Sequence, residues 1–206
     1  MIAVVDYGAS NVNSVLRALR AVGAEATLTA DPEEVRRAER VVVPGVGNFA
    51  PARHRLEETG LDEAITAAAR AGRPLLGICL GLQLFLEESE EARGVSGLGL
   101  LPGRVVRFST SLPVPHVGWA KVLLTEHGRS HVVLRRAFGS TATYLYHVHS
   151  YHPEHIGEHR ALAEAEYDAR FPTIVGEANV LGVQFHPEKS QGAGLALLRE
   201  FAEWCP

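Results

Sequence analysis

Short apolar runs alternate with longer amphipathic stretches through the first half of the chain. Residues 2–5, Ile-Ala-Val-Val, read as a buried strand. Residues 11–22 follow as a helix, with Val15, Leu16, Leu19 and Val22 on one stripe. Gly23 suits the stop of that helix. A second strand fits 25–29, and Asp31-Pro32 predicts a helix start, a capping carboxylate followed by proline in the first turn. Residues 40–43 read as a third strand, stopped by Pro44-Gly45. Two helical stretches come next, the second ended by Gly72, and 74–78 read as a fourth strand. Such alternation predicts a three-layer α/β architecture, a mainly parallel central sheet flanked by helices.

After Gly103 the texture changes. Strand-like runs crowd together at 104–108, 120–125, 143–148, 162–167, 173–178 and 180–185. They are expected as antiparallel additions to the sheet, with 191–204 as a closing helix. The sequence shows no internal repeat, low-complexity tract or linker, so residues 1–206 are expected to form one domain.

Composition narrows the function classes. The 206 residues are 46% apolar and 21% charged, ordinary for a globular protein. A net charge of −4 gives no electrostatic footprint for nucleic acid or an anionic membrane. No apolar run approaches the roughly 20 residues that span a bilayer. The opening Met-Ile-Ala-Val-Val-Asp lacks a basic region before its apolar residues and reads as a strand rather than a signal peptide. Two cysteines, Cys79 and Cys205, make no disulfide framework, which points to a reducing cytoplasm. Cys205 is penultimate and is given no role.

The segment Gly77-Ile78-Cys79-Leu80-Gly81 ends the fourth strand and opens a helix. It has the form of a nucleophile elbow with cysteine at its apex. Glycines two residues on either side relieve crowding in a tight turn, and the positive end of the following helix favours a negative sulfur. The Leu80 N–H is then placed to stabilise an oxyanion. The alternative is a buried structural cysteine.

A cysteine nucleophile needs a base, and the base an orienting partner. His186-Pro187-Glu188 stands at the end of the last strand-like run. In an extended chain His186 and Glu188 face one side, so the carboxylate can orient the ring. The alternative is a surface turn. A second glycine-rich turn, Pro44-Gly45-Val46-Gly47-Asn48-Phe49, would let backbone N–H groups of Val46 and Gly47 approach a substrate and complete an oxyanion hole with Leu80; the alternative is an ordinary strand-to-helix turn.

Together these elements resemble the triad class of glutamine amidotransferases over essentially the whole chain. Asp6-Tyr7-Gly8 with Asn11, the Pro44–Phe49 turn, Pro115-His116-Val117-Gly118-Trp119, residues 144–151 and Phe185-His186-Pro187-Glu188-Lys189-Ser190 resemble most the glutaminase subunits of imidazole glycerol phosphate synthases. The resemblance implies a flavodoxin-like fold and hydrolysis of L-glutamine through a Cys79 thioester, with no cofactor or metal. It implies a (β/α)8-barrel cyclase partner that receives the ammonia. Gln83, Glu91, His149, Ser150 and Tyr151 should bind glutamine. Asn11, Trp119, Tyr146 and Lys189 should face the cyclase. Ala120 stands where a polar residue is expected, which puts a detail of that interface in question. The turn at 44–49 is expected to rest with its amide turned away until the partner binds.

Three other readings remain open. His147 and His149 share a strand face at ligand-like spacing, which would suit a metal hydrolase. A stand-alone cysteine hydrolase of the same fold would work without a partner. A catalytically idle binding subunit would need none of Cys79, His186 and Glu188.

Overall fold

The computed structural model of the chain describes residues 1–8, 11–139 and 142–206. Its first half runs β1 (Ile2–Val5), α1 (Val12–Ala21), β2 (Ala26–Thr29), α2 (Pro32–Arg37), β3 (Arg40–Val43), α3 (Phe49–Thr59), α4 (Leu61–Arg70), β4 (Leu75–Ile78) and α5 (Leu80–Phe85). Then come β5 (Glu88–Ser89), β6 (Arg104–Arg107), β7 (His116–Leu124), α6 (Glu126–Ser130), α7 (Val132–Phe138), β8 (Thr143–His149) and β9 (Tyr151–Glu154). The chain closes with β10 (Ala161–Tyr167), β11 (Ala169–Glu177), β12 (Val180–Val183) and α8 (Gln191–Ala202).

One sheet of nine strands has the order β2-β1-β3-β4-β12-β11-β10-β7-β8. Its first five strands are mutually parallel. The remaining four continue it antiparallel, as the change of texture after Gly103 predicts. A second sheet, β5-β6-β9, is small and was not expected. Its strands are two to four residues long and carry no period to read.

Alternation along the strands splits the core in two. Ile2 and Val4 pack on one face with Val15, Leu16 and Leu19 of α1 and Leu197, Leu198 and Phe201 of α8. Ala3 and Val5 pack on the other with Val35, Leu56, Ile65 and Phe85 of α2 to α5. The Asp31 carboxylate accepts from Glu33 N–H at 2.8 Å, which fixes the start of α2 as the sequence predicts.

Candidate active site

Three adjacent parallel strands, β3, β4 and β12, point their carboxyl ends at one place. Ligand sites of open α/β sheets lie beyond such ends. Here the segments beyond them are the turn at 44–48, Cys79 and the run from Gln184 to Ser190.

Cys79 is the apex of the elbow. Its φ of 54° and ψ of −106° are unusual for a residue with a side chain. Its N–H donates to Val183 O at 2.8 Å, so pairing with β12 holds the strained residue in place. The flanking glycines are required by contact. A Cβ on Gly77 would lie 2.7 Å from Leu82 N, and one on Gly81 would lie 1.8 Å from Val43 O.

His186 Nδ1 donates to Glu188 Oε1 at 2.8 Å, with both side chains buried. The expected reason for their meeting is corrected by the structure. β12 ends at Val183, and Pro187–Lys189 is a single 3-10 turn. Proline at the first position of that turn brings the carboxylate back under the ring; the pair does not lie on an extended strand. The bond fixes the proton on Nδ1 and leaves Nε2 as the basic nitrogen. Burial alone would lower the His186 pKa. The hydrogen bonds and charges of Cys79 and Glu188 outweigh it and hold the pKa at about 9. Nε2 has no well-formed hydrogen bond among the described residues, although the thiol bears on it.

Sequence reasoning missed two neighbours. Asn11 Nδ2 donates to Glu188 Oε1 at 2.5 Å, so a residue expected at a partner surface also holds the orienting carboxylate. Gln184 Nε2 donates to Cys79 Sγ at 3.6 Å. The only signal for Gln184 was a polar residue inside the apolar run 180–185.

A cavity of about 450 Å³ opens beside Cys79. Among its lining residues are Val46, Gly47, Leu80, Gln83, Glu91, His149, Ser150 and Tyr151. All the residues singled out for the oxyanion hole and for glutamine therefore border one space with the thiol. Gln83 is buried, not solvated, and its Nε2 donates to Tyr151 O and Gln184 Oε1, each at 3.2 Å. Glu91, on a 3-10 turn, accepts from Phe49 N–H at 3.0 Å and ties the start of α3 to the cavity rim. His149 Nδ1 donates to Tyr151 O at 2.8 Å.

The turn at 44–49 is braced from behind. Tyr7 Oη donates to Pro44 O at 2.8 Å, and a Cβ on Gly45 would fall 2.0 Å from that hydroxyl. Burial, and then the nearness of Cys79, push the Tyr7 hydroxyl well above its usual pKa, so it remains a donor. The Leu80 N–H, expected to be free for an oxyanion, donates to Gly45 O at 3.3 Å.

Of the residues expected to face a partner, Trp119 is 46% exposed and its ring meets Tyr146 edge-on, centroids 6.1 Å apart. Lys189 Nζ stands 6.0 Å from the Tyr146 ring centroid. Ala120 is corrected: strand alternation turns it into the core, so no polar residue is wanted there. His147 uses Nδ1 to donate to Leu145 O at 3.0 Å and accepts at Nε2 from Thr173 Oγ1 at 2.7 Å. Neither nitrogen is left for a metal, and no cluster suited to one occurs among the described residues.

Residues 3–204 match the family model described as glutamine amidotransferase class-I. A protein of Symbiobacterium thermophilum named imidazole glycerol phosphate synthase subunit HisH is 47% identical over 203 residues, covering 98% of this chain and 92% of that one. Its Bacillus subtilis namesake is 44% identical, covering 98% and 96%. The namesake from Methanothermobacter thermautotrophicus is 42% identical, covering 98% of each. A solved structure entitled crystal structure of glutamine amidotransferase superposes with a TM-score of 0.77 at 19% identity, covering 99% of this chain and all of the other. PurLQS from Thermotoga maritima also gives 0.77 at 19% identity, covering 98% and 97%, and is likewise similar in fold.

Proposed function

Because the chain belongs to the class I glutamine amidotransferase family, we propose that it is the glutaminase subunit of an imidazole glycerol phosphate synthase. The one-domain chain hydrolyses L-glutamine in the cytoplasm and hands ammonia to a (β/α)8-barrel cyclase in histidine biosynthesis. The convergence of His186 and Glu188 on Cys79, which itself lines the cavity, carries this reading.

Cys79 Sγ attacks the side-chain carbonyl carbon of glutamine, and the carbonyl oxygen becomes an oxyanion. The imidazolium of His186, oriented by Glu188, gives its proton to the departing nitrogen, and ammonia leaves a γ-glutamyl thioester. Water then attacks the thioester carbon, with its proton passing to His186. Glutamate departs and the sulfur is restored as a thiolate beside the imidazolium.

The oxyanion needs donors that the resting contacts withhold. Leu80 N–H is engaged by Gly45 O. Shifting the 44–49 turn frees it and turns the amides of Val46 and Gly47 toward the cavity. Docking of the cyclase on the side of Asn11, Trp119, Tyr146 and Lys189 supplies that shift. Glutamate release from L-glutamine, with and without the cyclase and its nucleotide ligand, tests the reading. Strong stimulation supports it, steady hydrolysis alone indicates a stand-alone hydrolase, and no glutamate under any condition removes it.

A further inference from the structure

We infer that Gln184 is a catalytic residue: its side-chain amide donates a hydrogen bond to the nucleophilic sulfur and stabilises the thiolate. The inference deepens the glutaminase reading and rests on Cys79 being the nucleophile.

Gln184 lies fully buried one residue beyond β12, beside the elbow. Its own N–H donates to Thr173 O at 2.8 Å, which pins the backbone to β11. A buried carboxamide must satisfy both ends, and which end faces the sulfur decides its role. The neighbours settle the orientation. Tyr151 O is a pure acceptor, so the Gln83 atom 3.2 Å from it must be nitrogen. The second N–H of that same nitrogen then needs an acceptor, which is Gln184 Oε1 at 3.2 Å. The nitrogen of Gln184 is left 3.6 Å from Cys79 Sγ, an ordinary N–H···S separation.

The consequence is electrostatic. In water a thiolate is held by mobile solvent. Here Cys79 is 7% exposed, and the fixed dipole of Gln184 takes over part of that task without reorganising. His186 and Gln184 thus bear on one sulfur, the first as proton carrier and the second as a donor with no proton to lose. The chain of amides also ties the sulfur to the cavity wall at Tyr151.

Thiol reactivity tests this without turnover. Cys205→Ser removes the other thiol, and alkylation of Cys79 by iodoacetamide is followed against pH in the full chain. Gln184→Met keeps the volume and removes the donor. It should move the midpoint of the profile about one pH unit higher, the size of one charge-assisted hydrogen bond, and so slow alkylation about tenfold on the acid side of that midpoint. Gln184→Glu, which places a carboxylate oxygen at the sulfur, should slow it further. An unchanged profile in a folded Gln184→Met chain would overturn the inference and leave Gln184 a packing residue. The Gln184 side-chain amide resonances of the unsubstituted protein give a reading independent of any variant's folding. They should titrate with the alkylation midpoint, and amide resonances that stay still overturn the inference. Glutamate release with intact alkylation chemistry in the wild type separates the two claims. A Cys79 no more reactive than a free thiol overturns the inference, whereas the glutaminase reading stands or falls with glutamate release.

Discussion

Asn11 and Glu188, 177 positions apart in sequence, meet in a 2.5 Å hydrogen bond at the back of the catalytic pair. The same carboxylate oxygen also accepts from His186. The start of α1 and the 3-10 turn that follows β12 are therefore joined at the group that orients the proposed base. Asn11→Ala removes one of two donors and should cost about tenfold in glutamate release, within the range of a hydrogen bond to a charged group. Asn11→Asp sets a second carboxylate against the first and should cost more. Assays at saturating cyclase separate this loss from weakened partner binding; equal activity in all three proteins would leave the contact without catalytic weight.

Cys79→Ala should abolish glutamate release while leaving the fold in place, since a small buried side chain is exchanged for one smaller still. A melting temperature within a few degrees of the parent and loss of product together check this. His186→Ala should cost several orders of magnitude in turnover, and Glu188→Ala less, because it removes only an orienter.

The titration of His186 gives a signed expectation. Its pKa rises from 6.5 to about 9 on folding, so the imidazolium persists at neutral pH. Its stabilising contribution is whole below pH 6.5 and is lost as pH rises through about 9. Turnover should fall on an alkaline limb near pH 9, because the leaving nitrogen then lacks a proton donor. Glu188→Gln, which removes a contact that raises the pKa, should move that limb to lower pH. A pH–rate profile flat through pH 10 would contradict the assignment.

A buried imidazole layer behind the site acts in the opposite direction. His147 is pushed down from 6.5 to about 3, first by burial, and His116, His149 and His152 are also lowered by burial. These rings pack among Phe108, Phe171 and Tyr167, with His116 stacked on Tyr167 and the others tilted or edge-on. A depressed histidine contributes stability that is whole above pH 6.5 and lost as pH falls. Denaturant midpoints should therefore drop below pH 6.5, and His147→Gln should flatten that slope while lowering stability at pH 8.

Gly45 and Tyr7 make a coupled pair. Gly45→Ala should destabilise by about 2 kcal/mol or more, because its Cβ would meet the Tyr7 hydroxyl. Tyr7→Phe removes that oxygen and frees Pro44 O. The double variant should be less unstable than the sum of the two single changes, and strict additivity in chemical denaturation would rule out the contact.

The parallel half of the fold was legible because each element carried its own punctuation. Gly23, Asp31-Pro32 and Gly72 mark ends with a physical reason, and β1, β3 and β4 are wholly or mostly apolar, while β2 at the sheet edge is half threonine. The elbow was legible because Gly77 and Gly81 answer to contacts within a few residues and one strand away. What escaped was long-range. Gln184 and Asn11 bond to atoms brought near only by β12 pairing with β4 and by α1 folding back across the sheet. The small second sheet and α6 and α7 escaped because segments so short show no full period. The extended geometry assigned to His186 and Glu188 gave the right neighbours for the wrong reason, since proline turns the chain there instead of continuing a strand.

β8 is one of the two edge strands of the nine-stranded sheet, and the catalytic segment lies against its outer side. His186 N–H donates to Tyr146 O, while Ser190 Oγ accepts from Tyr146 N–H and donates to His186 O. An open edge strand is a template for intermolecular pairing and aggregation. The segment that presents the base thus also blocks that edge at its centre. Solubility and the placement of His186 are secured by the same backbone contacts, so neither can be altered through Ser190 without disturbing the other.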